Sequence, residues 1–179
     1  LHYTVWEDLN KEEKKPFVEL FEGNPKEAGD FYKHYFYWYN VVHELGHILR
    51  LKYGTSEVSN GNENIDSWKE EQAVNDFAVA FWRYNKQYDK LNFIKEQINH
   101  VLSILPNPNQ ENNDEKEFFI KNYSKFTPLE YGYFQFRFVQ KSLEKDESFH
   151  KVARKNINPN TIQAKPKYYL DYRTINQEL

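Results

Sequence analysis

Val41-Val42-His43-Glu44-Leu45-Gly46-His47-Ile48 decides how this chain is read, because it sets H-E-x-x-H inside a stretch of helical character. At about 100° per residue, His43 and His47 differ by about 40° and stack one turn apart, so both imidazoles reach one ion. Glu44 projects about 60° from His47, beside the pair rather than behind it. That is where a base must stand to take a proton from water activated by a metal. Neutral imidazole suits zinc, and three protein ligands leave a fourth position for water. With this chain's His and Glu content the motif arises by chance in on the order of one in fifty shuffled sequences, which makes it worth building on.

The surrounding helix is expected to open at Asn24-Pro25 or Asp30 and to run to Tyr53. It should stop at Gly54 in the C′ position, with Arg50 and Lys52 in its last turn. Trp38, Val41, Leu45, Ile48 and Leu49 share the face opposite the ligands and are expected to anchor it in the core. Phe36, Tyr39, Asn40 and Arg50 fall on the metal side and would line a cleft, and Gly46 permits close approach by another backbone. The aromatic run Tyr35–Tyr39 spreads around all sides of such a helix. It therefore reads as core and cleft wall rather than as a platform for sugars or bases.

A catalytic zinc needs a third protein ligand. The three-histidine extension H-E-x-x-H-x-x-G-x-x-H is absent, since Arg50 and Tyr53 stand where its Gly and His belong. A second helix is expected from Ser67 to about Tyr84, opened by S-W-K-E as a capping box with Glu70, and it carries two candidates, Glu70 and Glu71.

Here the sequence resembles the gluzincin peptidases, most closely their small regulatory members of the phage-repressor-cleaving and radiation-response type. Their pattern is an H-E-L-G-H helix followed by a helix bearing E-x-x-A-N-x-F-A. Glu71, Asn75, Phe77 and Ala78 match that register, with Val74 where Ala is usual, and the likeness covers roughly residues 36–84. The resemblance implies a zincin-like fold and a zinc-dependent peptide hydrolase, with Glu71 as third ligand. Two features differ from the pattern. Asn75, followed by Asp76, stands where larger gluzincins place a histidine-orienting aspartate, and F-Y-K-H-Y-F-Y-W-Y replaces the strand that usually leads into the helix. Helical projection favours the same glutamate. Glu70 and Glu71 point about 100° apart, so only one can face the ion. Glu70 has a role at the cap, whereas Glu71 shares its face with Asn75, Ala78 and Trp82, and Ala73, Phe77, Ala80 and Tyr84 lie opposite.

The rest of the chain sets bounds. Its 179 residues suit one zincin-like domain, 1–179, with a core over 25–105 and a C-terminal helical extension over 115–179. Further helices are expected near Asp89–Leu105, from Thr127 (a T-P-L-E capping box) to about Leu143, and near Ser148–Lys155, with a polar linker at 106–114. His2–Trp6 reads as a short strand, and the tail from Asn156 as irregular, tied down by Tyr168, Tyr169 and Tyr172. The fold class is thus mainly α, with a small or absent sheet. The 24 basic and 27 acidic side chains nearly balance and give no pull toward nucleic acid. The 14 Tyr, 14 Phe and 4 Trp require an aromatic core. No run of about 18 apolar residues predicts a membrane span. No secretory leader is legible, yet a chain opening at Leu1 and lacking Met does not read as a native start, so localisation stays open, as does oligomeric state. Without Cys there is no disulfide framework and no thiolate metal site.

A peptide hydrolase also needs a donor for the oxyanion. Tyr131, Tyr133 and Arg137 are candidates, with His100 and His150 the other late ones; His34 and His2 read as structural. The function expected is hydrolysis of a peptide or protein substrate at a zinc held by His43, His47 and Glu71, with Glu44 as base and Asn75 supporting the ligands. The rivals are a zinc-binding regulatory or sensor protein that keeps the site without peptidase activity, and a metal-dependent hydrolase of a non-peptide bond.

Overall fold

Short polar side chains start the helices. Asn10 accepts hydrogen bonds from the N–H groups of Glu12 and Glu13, and the Glu13 carboxylate accepts the Asn10 N–H in return, opening α1, Lys11–Leu20. Asn24 caps α2, Pro25–Tyr32, with proline in its first turn, and Asp30 is engaged by Lys26 instead. Asp114 caps α6, Glu115–Asn122. Thr127 and Glu130 form the expected box at the head of α7, Pro128–Glu144, and Ser148 caps α8, Phe149–Asn156. Between these lie α3, Asn40–Tyr53, α4, Ser67–Tyr84, and α5, Tyr88–Ile104. The computed structural model describes residues 4–54, 66–110 and 114–158. Among them every regular element is helical and no strand occurs, so the chain is mainly α.

Four expectations change. The strand foreseen over His2–Trp6 is not found: residues 1–3 lie outside the described residues, and Trp6–Asp8 makes a 3-10 turn. Gly54 ends α3 in extended conformation (φ −64°, ψ 168°), its N–H donating to Arg50 O, so no left-handed cap is used. The cap of α4 is Asp66, which accepts the Lys69 N–H at 3.2 Å. The residue three places on is then a lysine, and Glu70 takes no part in capping. The tail tyrosines Tyr168, Tyr169 and Tyr172 lie outside the described residues.

The fourth change is inside the long helix. Lys33–Tyr39 joins α2 to α3 with i→i+5 bonding, the Asn40 N–H reaching Tyr35 O. This winding is slower than that of an α-helix, so residues four apart fall back into register. Phe31, Tyr35 and Tyr39 accordingly form a ladder, with ring centroids 5.5 and 5.8 Å apart and nearly parallel planes. Two side chains of this stretch, Tyr35 and Tyr39, are buried in the core. Periodicity at 3.6 residues cannot show this.

The ladder belongs to one apolar cluster that runs from Phe21 and Phe31 through Phe77, Ile94 and Ile98 to Phe136, Val139 and Val152. Phe136 meets both Phe31 and Tyr35 edge-on, contacts worth about 0.5–1.5 kcal/mol each beyond burial. Helix α4 lies at its centre, packed on α3, α7 and α8. A smaller cluster of Phe119, Phe134 and Phe138, flanked by Trp68, joins α6 to α7.

Candidate metal centre

Helices α3 and α4 meet through their polar faces. At Gly46 a Cβ would stand 3.2 Å from the Val74 Cβ and 3.3 Å from its Cγ1, so the missing side chain sets the separation. His43, Val42 and Gly46 are buried against α4. Val41, Leu45 and Ile48, expected in the core, are instead 45, 42 and 53 % exposed. The reason is the partner's chemistry: α4 also turns polar residues inward, with Glu71 and Asn75 buried, so the candidate site lies between these helices. Trp38 does reach inward, stacking on Trp82 at 4.2 Å, and Leu49 is half-buried.

Three ligand atoms converge there. His43 Nε2 and His47 Nε2 are 3.2 Å apart, and Glu71 Oε2 lies 3.6 Å from the first and 3.8 Å from the second. Tetrahedral donors about 2.0–2.1 Å from one divalent ion stand about 3.3–3.4 Å from each other. The observed triangle leaves a point about 2.1 Å from all three atoms. Glu71 Oε2 is buried and has no hydrogen-bond partner, an arrangement that costs free energy unless a cation completes it. His43, His47 and Glu71 thus form a group that can hold a metal ion.

Of the three, His43 alone is shifted toward the form that ligates. Burial, reinforced by neighbouring His47, pushes the His43 imidazole down to about 3, so it is neutral and able to ligate. Burial raises the Glu71 carboxyl, opposed by Gln135, His47 and Tyr131. For His47 burial acts downward, but the hydrogen bond to Glu70 and the charges of Glu71, Glu70 and Glu44 outweigh it and raise its pKa.

The surrounding residues hold these groups. Tyr39 OH donates to Asn75 Oδ1 at 3.0 Å, and Asn75 Nδ2 donates to the Glu71 backbone carbonyl at 2.9 Å, which sets the carboxamide one turn along from Glu71. Tyr131 OH donates to Glu71 Oε1 at 3.3 Å, steering Oε2 toward the imidazoles. Burial and the Glu71 charge raise the Tyr131 pKa, so the phenol keeps its proton. Glu44 is half-buried at the edge of the group, its Oε1 accepting from Asn40 Nδ2 at 3.2 Å.

The other candidates lie elsewhere. Tyr133 packs edge-on against Phe134, Arg137 pairs with Glu115 at 3.0 Å, His100 lies against Phe21 and His150 against Tyr84. His34 donates from Nδ1 to Asp30 O beside Phe93, a structural role, and His2 is outside the described residues. Asp76 turns to Lys145 and Ser142, away from the histidines. Besides the exposed residues of α3, Glu70 and Arg50 also differ from expectation. Glu70, expected at the cap, receives His47 Nδ1 at 3.1 Å and Arg50 Nε at 2.8 Å, and Arg50, expected to line a cleft, is half-buried in that pair. Asp66, a better cap just before Ser67, was the signal that Glu70 was free for other work. In comparison with known proteins, no family model, no curated protein and no solved structure matches this chain.

Proposed function

We propose that the chain is a zinc-dependent peptide hydrolase of gluzincin type, a reading carried by the convergence of His43 Nε2, His47 Nε2 and Glu71 Oε2 with Glu44 one residue from a ligand on the same helix. Two imidazoles and one carboxylate form the donor set of many hydrolytic zinc sites and leave one position open. Zinc there would supply Lewis-acid polarisation of a carbonyl and acidify water. Glu44 takes a proton from the attacking water as its oxygen bonds to the carbonyl carbon. When the C–N bond breaks, Glu44 returns that proton to the leaving amine nitrogen. Tyr131 keeps its proton, and would serve the developing oxyanion by turning its one O–H from Glu71 Oε1 to that oxygen. Exposed Val41, Leu45 and Ile48 surround the Glu44 side of α3 and suit apolar side chains of a peptide.

The test is cleavage of a broad peptide library by the zinc-loaded chain, with and without a chelator. Cleavage abolished by chelation and restored by zinc is expected. Zinc binding at one per chain with no cleavage of any library member would instead make the chain a zinc-binding regulatory protein.

A further inference from the structure

We infer that Glu70 is the positioning residue of His47, and that α8 holds it in place through Asn156 and Arg50. The inference rests on the zinc reading above. A carboxylate only accepts hydrogen bonds, so the 3.1 Å contact from His47 Nδ1 to Glu70 Oε1 puts the ring proton on Nδ1. In the neutral ring that a metal binds, the lone pair then lies on Nε2, the atom facing His43 and Glu71. A carboxylate behind a metal-binding imidazole fixes its tautomer and orientation and strengthens it as a ligand.

Glu70 is itself held. Its Oε2 accepts Arg50 Nε at 2.8 Å, and the same guanidinium donates from Nη1 to Asn156 Oδ1. Asn156 is buried at the last turn of α8, where its Nδ2 donates to Val152 O at 2.8 Å, so its oxygen is aimed. Helix α8 is docked on α4 by Phe149, in ring contact with Phe77, Phe81 and Tyr84, and by buried Val152. The Asn158 N–H donates to Tyr53 O, tying the chain beyond α8 to the end of α3. A relay of four side chains, His47–Glu70–Arg50–Asn156, therefore joins a metal ligand to a helix 106 residues away from Arg50 in sequence. An arginine fits this bridge better than a lysine would, because its planar fork addresses two acceptors at once.

The experiment titrates metal-free wild type, Glu70→Gln, Asn156→Ala and Asn156→Asp with zinc against a competing chelator. It also records the visible spectrum of each with cobalt(II), whose bands report ligand geometry. Lys145→Met, which breaks the Asp76 pair elsewhere on α4, serves as the stability control. Glu70→Gln should lose about 10–100-fold in zinc affinity and shift the cobalt bands. Asn156→Ala, remote from the ligands, should lose several-fold with the same direction of band shift, and Asn156→Asp, which keeps an acceptor for Arg50 but not the donor to Val152 O, should lose less than Asn156→Ala. The double variant Glu70→Gln/Asn156→Ala should lose no more than Glu70→Gln alone, since the two act in series. Zinc bound by wild type but held within twofold by both Glu70→Gln and Asn156→Ala, with unchanged cobalt spectra, overturns the inference and leaves the zinc reading standing. An equal loss in Lys145→Met also overturns it, because the effect is then one of stability. A wild-type chain that takes up neither metal overturns both.

Discussion

Gly46 and Val74 touch where α3 crosses α4: a Cβ added to the glycine would stand 3.2 Å from the valine Cβ, one residue from His47 and three from Glu71. Alanine at 46 would gain about 1 kcal/mol of helix propensity. Val74 is fully buried and β-branched and cannot yield, so overpacking of about 1–3 kcal/mol should win. Gly46→Ala is therefore expected to lower thermal stability and, by prising the ligand helices apart, zinc affinity as well. Val74→Ala added to it should restore affinity. Paired zinc titrations and melting curves check this; undiminished affinity in Gly46→Ala would show that close approach does not set the triad.

Glu44→Gln should hold zinc within a few-fold of wild type, because the side chain lies beside the ligands and not among them. Hydrolysis should fall by about 10²–10⁴-fold, the usual contribution of a general base. Turnover of a peptide identified in the library screen, measured on zinc-loaded protein, decides it. Near wild-type turnover would remove Glu44 from the mechanism.

Tyr131→Phe separates two roles of one hydroxyl. If the phenol only steers Glu71, zinc affinity drops and kcat of fully loaded enzyme stays level. If it also donates to the oxyanion, kcat falls by about 10²-fold or more. The hydrogen bond to Glu71 Oε1 and the raised pKa lead us to expect both losses.

Stability of the metal-free chain should depend on His43. Its pKa is about 3 folded against 6.5 unfolded, so between these values the unfolded chain binds the extra proton. Stability from this group is complete above pH 6.5 and is lost as pH falls toward 3, by at most about 1.4 kcal/mol per unit. His47 and Glu71 are both raised, so their contributions run the other way and are lost as pH rises through their folded values. Urea unfolding across a pH series, wild type against His43→Gln, isolates the term. The wild-type curve should climb more steeply between pH 3 and 6.5, and parallel curves would contradict the buried neutral imidazole.

Much of this was legible in the chain because the signals are local. The i,i+4 histidines, the Thr127–Glu130 box and the apolar spacing of Leu91, Ile94 and Ile98 each depend on residues within one or two turns. Glu71 came from the resemblance to the gluzincin register; the projection argument beside it leaned on Glu70 as a cap partner, a role that Asp66 and Lys69 fill instead. What failed was non-local or concerned phase. The exposed side of α3 was taken for its core side because apolarity was trusted over the need of two ligand helices to face each other. The i→i+5 stretch over Lys33–Tyr39 answers to packing of Tyr35 and Tyr39 against Phe136 and Asn75, contacts some 36 to 101 residues apart in the chain. Asp66 frees Glu70 from the cap within the local sequence, but the pairing of Glu70 with His47 and Arg50, 23 and 20 residues away, is not local.

His43, His47 and Glu71 are expected to hold one zinc together. A stoichiometric zinc titration of the metal-free chain beside His43→Ala, His47→Ala and Glu71→Gln tests this. One zinc per chain is predicted for wild type, none for either histidine variant, and affinity lower by about 10-fold or more for Glu71→Gln. Zinc taken up at full occupancy by both histidine variants, or by none of the four proteins, would contradict it.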